Sequence, residues 1–239
     1  MKLLKNIAVI FFDIIDKVFH QKKILLYVKK NIPDLEIFFD IGSHKGSYTD
    51  LIKNNFKLKK IIMVEPQKKI FSFIKKKYYK NKNIIMYNFA ISSKDSTKTL
   101  YINKHDLTTS LSKIDKKNSY LNFKARLFGG SINDMILSKV KMKTHRLDRI
   151  IKKNKLKKID LLKIDTEGHE LQVLKGTGSF LKKTKFILIE FHNNNIFLDY
   201  SADKIHNHLT NNNFKITKIF KFPFTTWEDR IYKNMKVKS

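Results

Sequence analysis

The pattern of hydrophobic and polar positions alternates between two kinds of segment from residue 34 onwards. Short apolar runs predict buried strands; these are Ile37–Ile41, Lys60–Val64, Ile84–Phe89, Thr99–Ile102, Asp160–Ile164, Lys185–Phe191, Phe214–Phe220 and Asp229–Lys233. Apolar residues at helical spacing predict helices between them; these are Ser47–Phe56, Lys68–Tyr79, Leu147–Lys153, Gly168–Lys175 and a segment that starts at Ala202. Strands that alternate with helices predict an α/β fold, in which helices cover both faces of a mostly parallel sheet.

Two segments do not follow this alternation. Residues 1–33 predict a short helical N-terminal extension, which precedes a domain of residues 34–239. The apolar run Ile7–Phe12 is far shorter than the ~20 residues that a membrane-spanning helix needs, so we predict no transmembrane segment. A peripheral membrane contact through the lysines of this extension is the alternative. Residues 103–143 have no clear period, and we predict an irregular lid or insertion there.

Composition narrows the classes of function. The 239 residues suit one α/β domain, and the absence of cysteine excludes disulfides, thiolate metal sites and cysteine nucleophiles. A cytoplasmic enzyme fits this composition. The formal net charge is +29, but only four of the 50 basic residues are arginine, the residue that nucleic-acid-binding proteins favour for bidentate contacts. We therefore interpret the charge as compositional and predict no specific nucleic-acid partner; a selected anionic partner is the alternative.

The stretch after the first predicted strand has the form of a ligand-binding loop. Asp40 closes the strand, and Gly42, Ser43 and Gly46 form a turn that leads into a helix, where a ligand can approach the backbone closely. The second strand ends at Glu65, an acid that can accept two hydrogen bonds from a ribose diol. The loop lacks the G-x-G-x-x-G spacing of dinucleotide sites. S-adenosylmethionine, a nucleoside with an amino-acid tail and a sulfonium, fits better, since its ammonium group would be favourable near Asp40.

Acidic residues also end two later strands. Asp165 and Glu190 follow their strands as Asp40 and Glu65 follow theirs. Ligands of such sheets bind beyond the carboxyl ends of the strands. These four acids therefore predict a single site at one edge of the sheet.

Several motifs of this chain resemble those of the FkbM-type S-adenosylmethionine-dependent methyltransferases. The resemblance covers about residues 36–192, and its motifs are Phe39–Gly46, Val64–Pro66, Asn88–Ser92, Arg146–Asp148, Ile159–Gly176 and Ile187–Glu190. One departure is His44, where the family usually has asparagine. The resemblance implies a Rossmann-like, seven-stranded, mostly parallel methyltransferase sheet and transfer of a methyl group to a hydroxyl of a saccharide or similar small-molecule or glycan acceptor. The cofactor-binding residues expected from these motifs are Asp40, Gly42, Ser43, Gly46, Glu65, Pro66, Ala90 and Ile91.

The reaction needs a group that takes the proton of the attacking hydroxyl. Asp165, just past its strand, is the best placed residue, and Glu190 and His192 lie close by if the next strand is its neighbour. We predict Asp165, Glu190 and His192 as the catalytic residues. A divalent cation bound by such carboxylate and imidazole groups is an alternative, but we predict no metal site. Asp165 could instead cap the following helix, and we expect His169 to be a packed residue.

Two other functions remain as alternatives. The charge suggests a nucleic-acid methyltransferase, but enzymes that methylate exocyclic amines usually carry an Asn/Asp-Pro-Pro-aromatic loop where this chain has Asp165–Gly168. Enzymes that methylate C5 need a cysteine, and the chain has none. A non-catalytic module that binds S-adenosylmethionine is the other alternative; the intact loop, Glu65 and Asp165 argue against it.

Overall fold

The computed structural model describes residues 19–103, 109–127, 131–132, 136–194, 196–222 and 226–237. The run Ile7–Phe12, on which the membrane question depends, lies outside the described residues, and so do parts of the predicted lid. No helix within the described ranges is long and apolar enough to cross a membrane.

The helices lie close to their predicted positions. They are α1 (Gln21–Asn31), α2 (Ser47–Lys53), α3 (Lys68–Lys77), α4 (Ser119–Leu127), α5 (Leu147–Lys153), α6 (Glu170–Gly176) and α7 (Ala202–Thr210). A 3₁₀ helix at Gly178–Lys183 follows α6. Residues 21–31 thus confirm a helix in the predicted extension, and only α4 falls where we predicted irregular structure.

The strands form two sheets. They are β1 (Ile37–Ile41), β2 (Lys60–Val64), β3 (Ile84–Tyr87), β4 (Ala90–Ile91), β5 (Ser96–Asn103), β6 (Ile136–His145), β7 (Ile159–Ile164), β8 (Thr184–His192), β9 (Phe214–Lys221) and β10 (Trp227–Asn234). Seven strands form the main sheet in the order β3-β2-β1-β7-β8-β10-β9, and β4-β6-β5 form a small second sheet. Only β10 runs antiparallel to the other six strands of the main sheet, which confirms the predicted mostly parallel seven-stranded sheet.

Strand order reverses between β1 and β7. From β1 the chain adds β2 and β3 on one side, and later it returns to place β7 and β8 on the other side. The carboxyl ends of β1 and β7 therefore flank a crevice, which is where open α/β sheets bind their ligands. Asp165 N–H donates to the carbonyl of Ile41 at 3.0 Å, so the two strand ends are in direct contact.

The core consists of two layers, one on each face of the main sheet. Neighbouring residues of a strand point to opposite faces, so Phe38 packs with α1 and α3, and Phe39 packs with α5, α6 and α7. All five residues of β1 and all six of β7 are buried. Burial on both faces explains why these strands read as continuous apolar runs rather than alternating ones.

The prediction of an irregular segment at residues 103–143 was wrong for its described part. It contains α4 and most of β6, which pairs with β5 from Ser96↔Thr144 to Asn103↔Ile136. The side chains of β6 are mostly exposed, lysines among them. The strand therefore has no buried face to produce a period in the sequence, and its partner holds it in place through backbone hydrogen bonds.

Candidate functional site

The glycines of the β1–α2 loop allow the loop to lie close to other parts of the protein. Gly42 and Gly46 both have φ of 80°. A Cβ at Gly42 would overlap the carbonyl oxygen of Asp165, and one at Gly46 would overlap the hydroxyl of Tyr78. The N–H groups of Gly42 and Ser43 both donate to the carbonyl of Val64, at 3.0 and 3.1 Å. These glycines thus bring the loop against β2, β7 and α3, which is a role that we did not predict for them.

Asp40 faces the interior of the crevice. Its carboxylate is fully buried, accepts a hydrogen bond from Thr49 Oγ1 at 2.7 Å and lies 3.7 Å from Lys163 Nζ. Burial raises the pKa of Asp40, although the ammonium group of Lys163 opposes this. Lys163 Nζ also donates to Asp165 Oδ2 at 3.0 Å and lies 4.5 Å from the ring centroid of Tyr48. A single buried lysine therefore links the carboxylates that end β1 and β7.

Glu65 closes the other side of the β1–α2 loop. Its Oε2 accepts the N–H of His44 at 2.9 Å, and its Oε1 accepts the N–H of Gln67 at 2.8 Å. Burial raises the pKa of Glu65 to about 7. Each oxygen of an ionised carboxylate has two acceptor positions, so both retain one for a further donor such as a ribose hydroxyl. His44, the departure from the family pattern, thus contributes its backbone to this contact.

The other residues predicted for the cofactor lie around Glu65 and in the second sheet. Pro66 is half-buried, and its carbonyl accepts a hydrogen bond from Asn88 Nδ2 at 3.0 Å. Ala90 and Ile91 are buried in β4, and Ile91 packs in the core layer beside α5 and α6. The cofactor-binding roles of these residues stay predictions.

The three residues predicted as catalytic meet at the carboxyl ends of β7 and β8. Asp165 and Glu190 directly follow the paired residues Ile164 and Ile189 and so lie side by side, and Oε2 of Glu190 lies 3.6 Å from Nε2 of His192. Burial would raise the pKa of Asp165, but the charge of Lys163 and the hydrogen bond to Glu190 hold that pKa below its ordinary value. Burial, followed by the charges of Asp165 and Glu167, raises the pKa of Glu190 well above its ordinary value. Asp165 is therefore the more acidic of the two carboxyl groups.

The loop from β7 to α6 adds Glu167 to this group. Glu167 Oε2 lies 3.8 Å from Nε2 of His192, and its backbone is left-handed with a φ of 52°. Glu170 fixes the loop: its Oε1 accepts hydrogen bonds from Thr166 N, Thr166 Oγ1 and Gly168 N at 3.0–3.1 Å. The local structure that directs Glu167 into the site is thus determined by a buried glutamate three residues further on.

The structure shows whether Asp165 caps helix α6 and whether His169 is a packed residue. Helix α6 begins at Glu170 and its N-terminal cap position is His169, so Asp165 does not cap it. His169 is buried, and its Nε2 lies 3.0 Å from Ser92 Oγ. Burial lowers the pKa of His169 to about 3, which makes it a neutral, packed residue as expected.

An outer group of residues connects the site to the N-terminal helix and the last hairpin. Asp229 of β10 lies opposite Glu190 of β8. Its Oδ2 accepts a hydrogen bond from Tyr48 at 3.2 Å and lies 2.8 Å from Nε2 of His20, a buried residue just before α1. The carboxylates of four strands, β1, β7, β8 and β10, therefore share one buried region.

Sequence reasoning missed Lys163 and Glu167. A signal for Lys163 was present, because a lysine among the apolar residues of a strand predicted to be buried needs a buried counter-charge. Glu167 had a weaker signal in the glycine that follows it, which is typical of a turn. Its proximity to His192 depends on the pairing of β7 with β8.

A parallel sheet with its order reversed at β1 and acids at the strand ends defines the class of Rossmann-like methyltransferase folds. The family model "Methyltransferase FkbM domain" matches residues 40–216, and the chain belongs to this family of methyltransferases, as its motifs predicted. An FkbM methyltransferase structure from Methylobacillus flagellatus KT has the same fold, with a TM-score of 0.54 and 16% identity over 84% of this chain. An uncharacterised protein from Listeria monocytogenes serotype 4b gives a TM-score of 0.51 and 13% identity over 93% of this chain and 70% of its own.

A curated relative matches over a short segment. The hexuronic acid methyltransferase AglP of Haloferax volcanii is 37% identical over 51 residues, which is 21% of each protein. The chain covers 44% of the Methylobacillus structure. It therefore spans less than half the length of both of these relatives.

Proposed function

We propose that the protein is an S-adenosylmethionine-dependent O-methyltransferase that acts on a hydroxyl of a saccharide or a similar small-molecule or glycan acceptor. The observation that carries this proposal is the position of Asp165, Glu190 and His192 together at the carboxyl ends of the paired strands β7 and β8. Membership of the FkbM family supports the methyl transfer. The short match to a hexuronic acid methyltransferase supports a sugar as the acceptor.

The residues present fit S-adenosylmethionine as the cofactor. Glu65 retains an acceptor position on each oxygen for the ribose hydroxyls, next to the loop that follows β1. Asp165 and Glu167 supply negative charge at the crevice, which favours a sulfonium there. When bound, the cofactor supplies an electrophilic methyl group.

The pair of carboxyl groups, Asp165 and Glu190, offers a group that can accept the proton of the acceptor hydroxyl. About a third of the Asp165 side chain is exposed (34%), whereas only 13% of that of Glu190 is. The ionised Asp165 is therefore the member that an acceptor can reach. With the cofactor bound, Asp165 would take the proton that the acceptor hydroxyl loses when its oxygen is methylated. Glu190 is the more buried of the two, and its Oε2 lies 3.6 Å from Nε2 of His192.

Transfer of radiolabelled methyl groups tests the proposal. The purified protein is incubated with labelled S-adenosylmethionine and either a glycan pool or an RNA pool, and we expect label in the glycans. Asp165→Asn should abolish most of the incorporation while cofactor binding persists, and the exposed Asp34→Asn serves as the matched control. Label in RNA alone would establish the nucleic-acid alternative. No label in either pool, with no rise in melting temperature on adding S-adenosylmethionine, would contradict the proposal.

A further inference from the structure

Several carboxylates lie around the buried end of β8. Glu167 and Glu190 lie 3.8 and 3.6 Å from Nε2 of His192, and Asp229 lies opposite Glu190 on the neighbouring strand. Lys163 is already paired with Asp40 and Asp165. A group of buried carboxylates is costly unless cations join it.

We propose that Glu167, Glu190 and His192 form a binding site for a divalent transition-metal cation. The three side chains offer two carboxylate oxygens and one imidazole nitrogen, and these donor atoms all lie within 4.8 Å of one another. The two measured separations from His192 Nε2 are 3.8 Å to Glu167 Oε2 and 3.6 Å to Glu190 Oε2.

These separations agree with the size of a metal centre. The centre of an equilateral triangle lies at the side length divided by the square root of three from each corner. Sides of 3.6 Å to 4.8 Å therefore put a central point about 2.1–2.8 Å from every donor, and bonds from Zn²⁺ to imidazole nitrogen or carboxylate oxygen are about 2.0–2.2 Å long. An ion would need to draw the donors inwards by no more than about 0.8 Å.

The donor set also restricts the kind of cation. Imidazole suits Zn²⁺ and other first-row transition ions, and carboxylates suit Mn²⁺ and Mg²⁺, so a mixed set favours a transition ion over Ca²⁺ or Mg²⁺. Three protein ligands leave at least one coordination position open. Oε2 of Glu190 is buried and has no hydrogen-bond partner among the residues that the structure describes, so a metal ligand role would satisfy it.

The protein holds the three ligands in position before any ion binds. The ring of His192 lies edge-on against Phe197 and Tyr200, at centroid distances of 5.2 and 5.5 Å. Its backbone N–H donates to the hydroxyl of Tyr200 at 2.9 Å. Phe197 in turn fills the space beside Gly168, where a Cβ would overlap it, and so packs against the loop that carries Glu167. Such support reduces the cost of ordering a metal site.

The position of this site suggests its use. Asp165 lies beside Glu190, one of the three ligands, because the residues before them, Ile164 and Ile189, are paired in the sheet. An open metal position would bind the acceptor hydroxyl next to Asp165 and lower its pKa, which makes proton transfer to Asp165 easier. This use depends on the proposed methyl transfer, whereas the binding of the cation does not.

Titration of metal-free protein with Mn²⁺, followed by electron paramagnetic resonance, tests the proposal directly. We expect one ion per chain, displaced by Zn²⁺ and much less readily by Ca²⁺ or Mg²⁺. Glu167→Gln and His192→Ala should each weaken Mn²⁺ binding by at least about tenfold. Glu36→Gln is the matched control, because Glu36 precedes β1 at the opposite edge of the sheet and pairs with Lys59; it should bind Mn²⁺ as the wild type does.

Folding and cofactor binding are measured on the same samples. Circular dichroism checks the fold. If His192→Ala does not fold, Mn²⁺ binding by Glu167→Gln alone tests the metal site. Absence of Mn²⁺ binding to the wild type, or equal binding by a folded Glu167→Gln variant, would overturn the metal site. If S-adenosylmethionine still raises the melting temperature in that case, the proposed function survives without the metal. Mn²⁺ binding without any effect of S-adenosylmethionine would support the metal site and count against the proposed function.

Discussion

Replacement of Lys163 by methionine should destabilise the protein by about 3–5 kcal/mol near neutral pH, the cost of removing one partner of a buried ion pair. Lys163 Nζ lies 3.7 Å from Asp40 and 3.0 Å from Asp165, and only 4% of the lysine side chain is exposed. Methionine retains the unbranched chain and removes the charge. The fully buried carboxylate of Asp40 would then have lost its cation and would keep only the hydrogen bond from Thr49.

The loss should shrink as the pH falls. Burial raises the pKa of Asp40 above 3.8 even beside Lys163, and removal of the ammonium group raises it further. A carboxyl whose pKa is higher in the folded protein than in the unfolded chain stabilises the fold below its unfolded pKa, and this contribution is lost as the pH rises through its folded pKa. Urea unfolding of both proteins between about pH 5 and about pH 8 should show a difference that grows with pH.

Two further variants separate this effect from a simple packing defect. Lys59→Met is the control, since Lys59 is 71% exposed in its pair with Glu36, and an exposed pair contributes no more than about 1 kcal/mol. The double variant Asp40→Asn/Lys163→Met should be more stable than Lys163→Met alone, because it leaves no unpaired charge at Asp40. A loss below about 1 kcal/mol for Lys163→Met, or a loss that does not change with pH, would refute the reasoning.

Three other substitutions test the loops of the site. Glu65→Ala should weaken S-adenosylmethionine binding in calorimetry while circular dichroism stays unchanged, because the ribose contacts are lost; an unaltered Kd would remove Glu65 from the cofactor site. Gly42→Ala should lower the free energy of unfolding by more than about 1 kcal/mol, since φ is 80° and the new Cβ overlaps Asp165; a midpoint equal to that of the wild type would contradict this. Burial raises the pKa of Glu170 from 4.5 to about 7, so the wild type should lose up to about 3 kcal/mol of stability as the pH rises through that range. Glu170→Gln keeps the acceptor oxygen and should flatten the pH dependence of unfolding, and an unchanged pH profile would argue against a buried, titrating Glu170.

The structure changes the interpretation of the glycines and Asp40 in the loop after β1. The glycines and Asp40 predict a ligand-binding turn, yet the Cβ positions of Gly42 and Gly46 are blocked by other parts of the protein, and Asp40 faces Lys163. The loop's shape therefore depends on contacts with β7 and α3. Any contact with a cofactor comes in addition to this structural requirement.

The sequence by itself determined the parts of the protein that depend on local burial. Strands buried on both faces, such as β1 and β7, appear as continuous apolar runs, and helices such as α3 show their period because one face is buried. The acids at the strand ends were readable for the same reason, because they mark where burial stops.

Tertiary structure alone decided which of these groups act together. The ion pair of Lys163 with Asp40 joins residues more than a hundred positions apart, and Glu167 meets His192 only because β8 pairs with β7. Strand β6 is exposed and has no period of its own, so backbone hydrogen bonds to β5 determine it. Local periodicity indicates whether a side chain is buried. It does not indicate which residue that side chain contacts, because electrostatic and hydrogen-bond contacts form between segments that are distant in the chain.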